Sequence, residues 1–371
     1  MMSARFLTVV LERAFNMRDG FGREIDYMRI SVIDSCNLNC YYCNPCDNNE
    51  HCHALNILSV KEVLCIVRAA TRLGIKHFRL TGGEPLLHPQ LDEMVLQIKK
   101  IPGVSSVSLT TNAVLLAQHA KWLKEAGIDS INVSLDTIDA SEYERITKKP
   151  LLEEVKHGIN AAIECGIRVK INVVLTPQTD VVALTRYVAK KGTDIRFIEM
   201  MPVGEGHTNG VEPYKKVIGT LSKLYGEPCR INTEKTKEIN SGNDKRKNPD
   251  NGPAEYYIFP ELGIRVGLIQ AIHGKFCDTC NRIRVTADGR LMPCLGSSVT
   301  MDLVPDSWDF ADDVEKDFAI VRALRAAIKA KPRCHNFNDN AVTYTKTTET
   351  KTTEIEAAEV NAARNMSRIG G

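Results

Sequence analysis

The chain has 371 residues, 43% hydrophobic and 25% charged, with 48 Lys and Arg against 46 Asp and Glu for a formal charge of +2. This is the composition of a globular protein: no apolar run approaches the roughly 20 residues of a membrane span, and the near-neutral charge gives no reason to expect a nucleic-acid partner, which rewards a concentrated basic surface. The N-terminal MMSARFLTVVLERAF mixes acidic and basic residues and lacks a small-residue cleavage site, so no secretory signal and a cytoplasmic location are expected. In a reducing compartment, twelve cysteines point to metal binding or catalysis rather than disulfides.

From Met28 to about Met200 the chain alternates short β-rich runs with amphipathic stretches of helical length. Strands are expected at 28–33, 77–82, 105–111, 130–136, 169–175 and 194–200. Segments such as SVKEVLCIVRAATRLG and LAQHAKWLKEAG carry apolar residues at helical spacing and end at glycine. Six β/α units predict an incomplete (β/α)6 TIM-type barrel over residues 1–225, with its chemistry after the strand C-termini. The polar, Gly/Pro/Asn-rich stretch from Glu234 to Pro253 reads as an exposed loop. Beyond it YYIFP, IRVGLI and NRIRVTADGRLMP read as short strands with an Asp-Gly turn, so residues 226–340 are expected to form a small antiparallel sheet region that closes the barrel. The Thr/Glu/Lys-rich stretch at 343–354 has few apolar residues, so 341–371 reads as a flexible tail.

The most specific signal is Cys36, Cys40 and Cys43 in CNLNCYYC, directly after the first expected strand. Three thiolates on one loop hold three irons of a 4Fe-4S cluster and leave the fourth iron for S-adenosylmethionine (SAM). The alternative is a structural zinc loop, which requires four closed ligands. One β/α unit later, TGGEP at 81–85 offers glycines, free carbonyls and Glu84 to an amino group, or is an ordinary turn. A second triad, Cys277, Cys280 and Cys294, again leaves a fourth position open, with a zinc knuckle as its alternative. Between its cysteines, Arg282 and Arg284 alternate along a strand and share one face, which suits a polyphosphate.

Taken together, MRISVIDSCNLNCYYC, RLTGGEPLL, LTTN, INVSLD, IRFIEMMPVG, FCDTCNRIRVTADGRLMPCL, KPRCHNF and the terminal IGG resemble the MoaA family of radical SAM enzymes, the GTP 3′,8-cyclases of molybdenum cofactor biosynthesis. The resemblance runs from about Arg23 to Gly371. It implies two 4Fe-4S clusters, one at each end of the barrel, with SAM on the N-terminal one and GTP on the other. It further implies hydrogen abstraction at C3′ of GTP, ring closure at C8 and (8S)-3′,8-cyclo-7,8-dihydroguanosine 5′-triphosphate as product. By motif it assigns SAM contacts to Tyr42, Gly83, Glu84, Thr110, Ser134 and Met201. GTP falls to Arg29, Arg79, Lys170, Arg196, Arg282 and Arg284; for Lys170 the alternative is a strand lysine that snorkels to solvent. Gly370 and Gly371 are implied to enter beside the reacting groups. As partners it implies cyclic pyranopterin monophosphate synthase (MoaC) downstream and a flavodoxin or ferredoxin electron donor, for a monomer or homodimer.

The sequence departs from that pattern in places. His77 stands where the family usually has lysine, Ala113 where it usually has glycine, and Cys46 and Cys52 are additional. These departures keep a second reading open, a two-cluster paralogue acting on another nucleotide or a peptide. A third reading is a zinc-stabilised binding protein without turnover. Cys65 and Cys165 read as packing residues in helices, while Cys229 and Cys334 have no assignment.

Overall fold

The computed structural model describes residues 17–43, 56–203, 213–231, 252–297, 299–303, 313–335 and 337. The expected tail with Gly370 and Gly371, the extra Cys46 and Cys52, and most of the 234–253 loop lie outside the described residues.

Six β/α units follow in order: β1 (Tyr27–Ser31), α1 (Val60–Thr71), β2 (His77–Thr81), α2 (Leu91–Lys99), β3 (Ser106–Thr111), α3 (Leu116–Glu125), β4 (Ser130–Ser134), α4 (Ala140–Thr147), α5 (Leu152–Glu164), β5 (Val169–Val174), α6 (Val181–Lys190), β6 (Asp194–Ile198) and α7 (Pro213–Tyr225). Then come β7 (Cys229–Arg230), β8 (Glu255–Ile258), β9 (Arg265–Ile269), β10 (Arg282–Val285), β11 (Arg290–Met292), β12 (Met301–Asp302) and α8 (Asp313–Lys329). The helices begin where the chain supplies caps. Ser59 and Glu62 form a reciprocal capping box on α1, and Asp139 and Asp180 accept the first free N–H groups of α4 and α6.

The twelve strands of the described residues form one sheet, in the order β12-β11-β10-β1-β2-β3-β4-β5-β6-β9-β8-β7. The six expected strands are parallel neighbours. β10 joins β1 and β9 joins β6, also in parallel, so the parallel run has eight strands. Antiparallel β11 and β12 extend one end, and β8 and β7 the other. Thus the C-terminal strands are laid on both edges of the barrel sheet instead of forming a sheet of their own. Among the described residues β7 and β12 do not pair, and the barrel remains partial.

The two faces of the parallel run differ in chemistry because side chains alternate along each strand. Met28, Ile30, Phe78, Leu80, Val107, Leu109, Ile131, Val133, Ile171, Ile195 and Phe197 turn toward the helices and are at most 1% exposed. At roughly 1.5–3 kcal/mol for each fully buried aliphatic or aromatic side chain, this layer is the main source of cohesion. The opposite, concave face carries Arg29, Arg79, Ser108, Asn132, Lys170 and Arg196 at the alternate positions. Barrel interiors are ordinarily filled by branched apolar side chains. A polar, cationic interior therefore marks a binding site.

Candidate active site

The concave face opens onto a cavity of about 890 Å³, lined by all six cysteines of the two triads. Strand register fixes their relative placement. Cys36 follows the end of β1, whereas Cys280 precedes Arg282, which pairs with Tyr27 at the start of β1. Because β10 and β1 run parallel, the two triads lie at opposite ends of the same strand pair, separated by roughly 13 Å of β1 at 3.3 Å per residue.

The first triad is held by the TGGEP loop. Gly83 N–H donates to the Ile33 carbonyl (2.8 Å) and Glu84 N–H to that of Ser35 (2.8 Å), which docks this loop on the segment leading into Cys36. A Cβ on Gly83 would lie 2.1 Å from Ser35 O, and one on Gly82, whose φ is +154°, 2.2 Å from Ile33 O. The close approach expected toward a ligand is thus, first of all, an approach to the cysteine loop. Glu84 is engaged by the protein as well: its carboxylate accepts from Thr111 Oγ1 (2.6 Å), Asn112 N (2.7 Å) and Leu86 N (3.0 Å), so it holds the end of β3. Burial pushes it up to about 7. Asn112 Nδ2 donates to Asn37 Oδ1 (2.7 Å) inside the cysteine loop.

Tyr42 donates through its hydroxyl to Asp136 Oδ2 (2.5 Å), and Asp136 also accepts from Val174 N (2.7 Å). Burial pushes the Asp136 carboxyl up to about 6. Burial likewise raises the thiols of this loop, Cys36 to about 11 and Cys43 to about 12. Such thiols ionise when a cation shares the site. Gly83, Glu84, Thr110, Ser134 and Met201 all line the same cavity.

At the other end, Arg23 donates to the carbonyls of Cys277 (2.6 Å), Arg333 (2.8 Å) and Pro332 (2.6 Å), and its Nε pairs with Asp19 (2.6 Å). Lys331 Nζ donates to the carbonyls of Arg282 and Pro293, at 2.8 Å each. His335 contacts the Ala271 carbonyl through Nε2 (2.7 Å) and packs on Phe337. The KPRCHNF segment is therefore a brace for the second triad. Cys280 behaves unlike the first triad: burial would raise its thiol, but Lys331 and Arg282 bring it below its usual value. Cys334 is exposed and stands near Cys277.

Between the triads lies the cationic floor of Arg29, Arg79, Arg196, Arg282 and Arg284. Burial and the neighbouring Arg284 push Arg29 well below its usual pKa, and burial and Arg282 push Arg284 down to about 10. Like charges crowded in a low-dielectric pocket are costly until an anion arrives. Tyr27 organises them. Its ring lies 5.9 Å from both the Arg79 and Arg282 guanidiniums, and Arg79 Nε donates to its hydroxyl. At Gly267 a Cβ would fall 2.8 Å from Arg196 Cγ, so the glycine is what lets Arg196 lie across β9, while Asn172 Oδ1 accepts from Arg196 Nε (2.9 Å). His77 lines the cavity, bonded through Nδ1 to Ser106 Oγ (2.8 Å), and half-burial lowers its pKa, which favours a neutral ring. Lys170 shares the concave face but is 1% exposed and does not line the cavity, which excludes the snorkelling alternative. Ala113 keeps a left-handed backbone at φ +65°, so the loop retains the conformation that favours glycine.

The donor set fits iron–sulfur chemistry: each triad offers three thiols to the cavity, the number that leaves one iron of a four-iron cluster open, whereas a structural zinc takes four closed ligands. In the cavity wall, Asn132 Oδ1 is buried without a hydrogen-bond partner among the described residues, an acceptor left for a ligand.

Comparison with known proteins agrees with this geometry. Residues 30–183 match the radical SAM superfamily and residues 193–337 the molybdenum cofactor synthesis C family. The chain is 35% identical over 324 residues to a GTP 3′,8-cyclase of Clostridium perfringens (strain SM101 / Type A), covering 86% of this chain and 95% of the relative. It is 37% identical over 328 residues to one of Peptoclostridium acidaminophilum, covering 86% and 94%. Among solved structures, Streptococcus suis SuiB bound to S-adenosylmethionine superposes with a TM-score of 0.54 at 14% identity, covering 81% of this chain and 65% of that one, which shows the fold alone.

Proposed function

The chain belongs to the MoaA family of radical SAM GTP 3′,8-cyclases and acts on GTP in molybdenum cofactor biosynthesis with iron–sulfur clusters and SAM, and on that basis we propose how its residues divide the work. Cys36, Cys40 and Cys43 hold the cluster that carries SAM, and Cys277, Cys280 and Cys294 hold the second cluster. When bound, the first cluster and SAM supply one-electron chemistry that removes a hydrogen atom from the substrate ribose.

The protein's own part is placement and charge. The carbonyls of the TGGEP loop, with Tyr42, Thr110, Ser134 and Met201 around them, orient SAM, and Glu84 fixes the loop. Arg29, Arg79, Arg196, Arg282 and Arg284 take the triphosphate and base, each guanidinium supplying forked donors to phosphate oxygens. Lys170, buried on the same face, is assigned to support this field from behind it. The observation that carries the reading is one cavity with a thiol triad at each end and a floor of arginines between. Gly370 and Gly371 are assigned on family resemblance to entry beside the reacting groups. MoaC downstream, a flavodoxin or ferredoxin donor, a cytoplasmic location and a monomer or homodimer belong to the same reading. None of the described helices is long and apolar enough to cross a membrane.

Triad replacement tests the division. The reconstituted chain is expected to hold roughly eight irons, two clusters of four. Replacing Cys277, Cys280 and Cys294 by alanine is expected to halve the iron and stop GTP turnover while uncoupled SAM cleavage persists. Loss of SAM cleavage with the first cluster fully loaded would contradict it.

A further inference from the structure

Lys331 lies just beyond α8 and is 3% exposed. Two of its ammonium protons go to the carbonyls of Arg282 and Pro293, and its charge lies close enough to the Cys280 thiol to lower its pKa. Arg282 is two residues past Cys280 and Pro293 immediately precedes Cys294, so one side chain ties together the two segments that carry the triad. A brace needs only donors, and Arg23 shows one built conventionally: its guanidinium holds the Cys277 carbonyl with its charge balanced by Asp19.

Among the described residues Lys331 has no such balance and forms no ion pair. A buried ammonium without a counter-ion is costly, and carbonyl dipoles offset only part of that cost. An anion at Cys280 offsets the rest, and three thiolates on an iron–sulfur cluster make the site anionic. We infer that Lys331 is the fixed counter-charge of the second cluster, a positioning residue that braces its two ligand segments and raises its reduction potential. The inference rests on the assignment of Cys277, Cys280 and Cys294 to that cluster. The sign follows from Coulomb's law: a nearby cation favours the reduced, more negative form, so removing it lowers the potential.

The test uses the full chain with Cys36, Cys40 and Cys43 replaced by alanine, which leaves one cluster to titrate. Lys331→Arg, Lys331→Gln and Lys331→Met are reconstituted anaerobically, and iron per chain and midpoint potential are measured. The Gln and Met variants are expected to titrate at lower potential than the parent, with the Arg variant close to it. Loss of the cluster from the neutral variants, with retention in Lys331→Arg, supports the charge role equally. Equal potentials in all variants, or loss of the cluster from Lys331→Arg as well, overturn it. A parent that binds no iron defeats the cluster assignment itself, a result distinct from the others.

Discussion

Glu84 and Asp136 are buried carboxyls engaged by protein donors, and burial still dominates their protonation, with values near 7 and 6 against an ordinary 4 to 4.5. Between pH 4 and 7 the folded, iron-free chain therefore binds more protons than the unfolded one. Its stability is greatest below the unfolded values and is lost as pH rises through 6 and 7, by on the order of 3 kcal/mol for each carboxyl. Urea midpoints of the reduced, iron-free chain at pH 5, 6, 7 and 8 are expected to fall. The Glu84→Gln, Asp136→Asn variant is expected to lose most of that slope, and an unchanged slope would place the titration elsewhere. Position 113 sets a smaller cost against a small gain. The left-handed alanine is strained by roughly 1–2 kcal/mol, while its fully buried methyl contributes about 0.8 kcal/mol, which explains how alanine is tolerated there.

Each strand of the six β/α units is found within two residues of its position in the sequence reading, because β-rich runs and glycine stops are local signals. The partners of β9 and β10 were not legible in the same way. Periodicity identifies a strand but not its neighbour, and the pairing of β10 with β1 joins residues some 255 positions apart. That pairing sets Arg284 beside Arg29 and Arg282 beside Tyr27, so the arginine floor is assembled from both ends of the chain. Replacing Arg282 or Arg284 by alanine is expected to weaken GTP binding by about 1.5–3 kcal/mol, roughly ten- to a hundredfold, the range for hydrogen bonds to a charged group. Isothermal titration under anaerobic conditions measures it. Unchanged affinity in both variants would remove the phosphate assignment.

Across the molecule, the residues singled out by sequence spacing were both thiol triads, TGGEP and the Arg282–Arg284 pair. Tyr27, Asp136 and Lys331 were not, since a lone tyrosine, aspartate or lysine acquires meaning only from what folding places beside it. The triads themselves illustrate the limit, because spacing singled out the thiols while only strand register shows that they face each other across one cavity. The most direct test of the account is product analysis after anaerobic incubation of the reconstituted chain with GTP, SAM and a one-electron reductant. The account predicts 5′-deoxyadenosine together with a 3′,8-cyclised guanosine triphosphate. 5′-Deoxyadenosine with GTP recovered intact would contradict it and favour a two-cluster enzyme for another substrate.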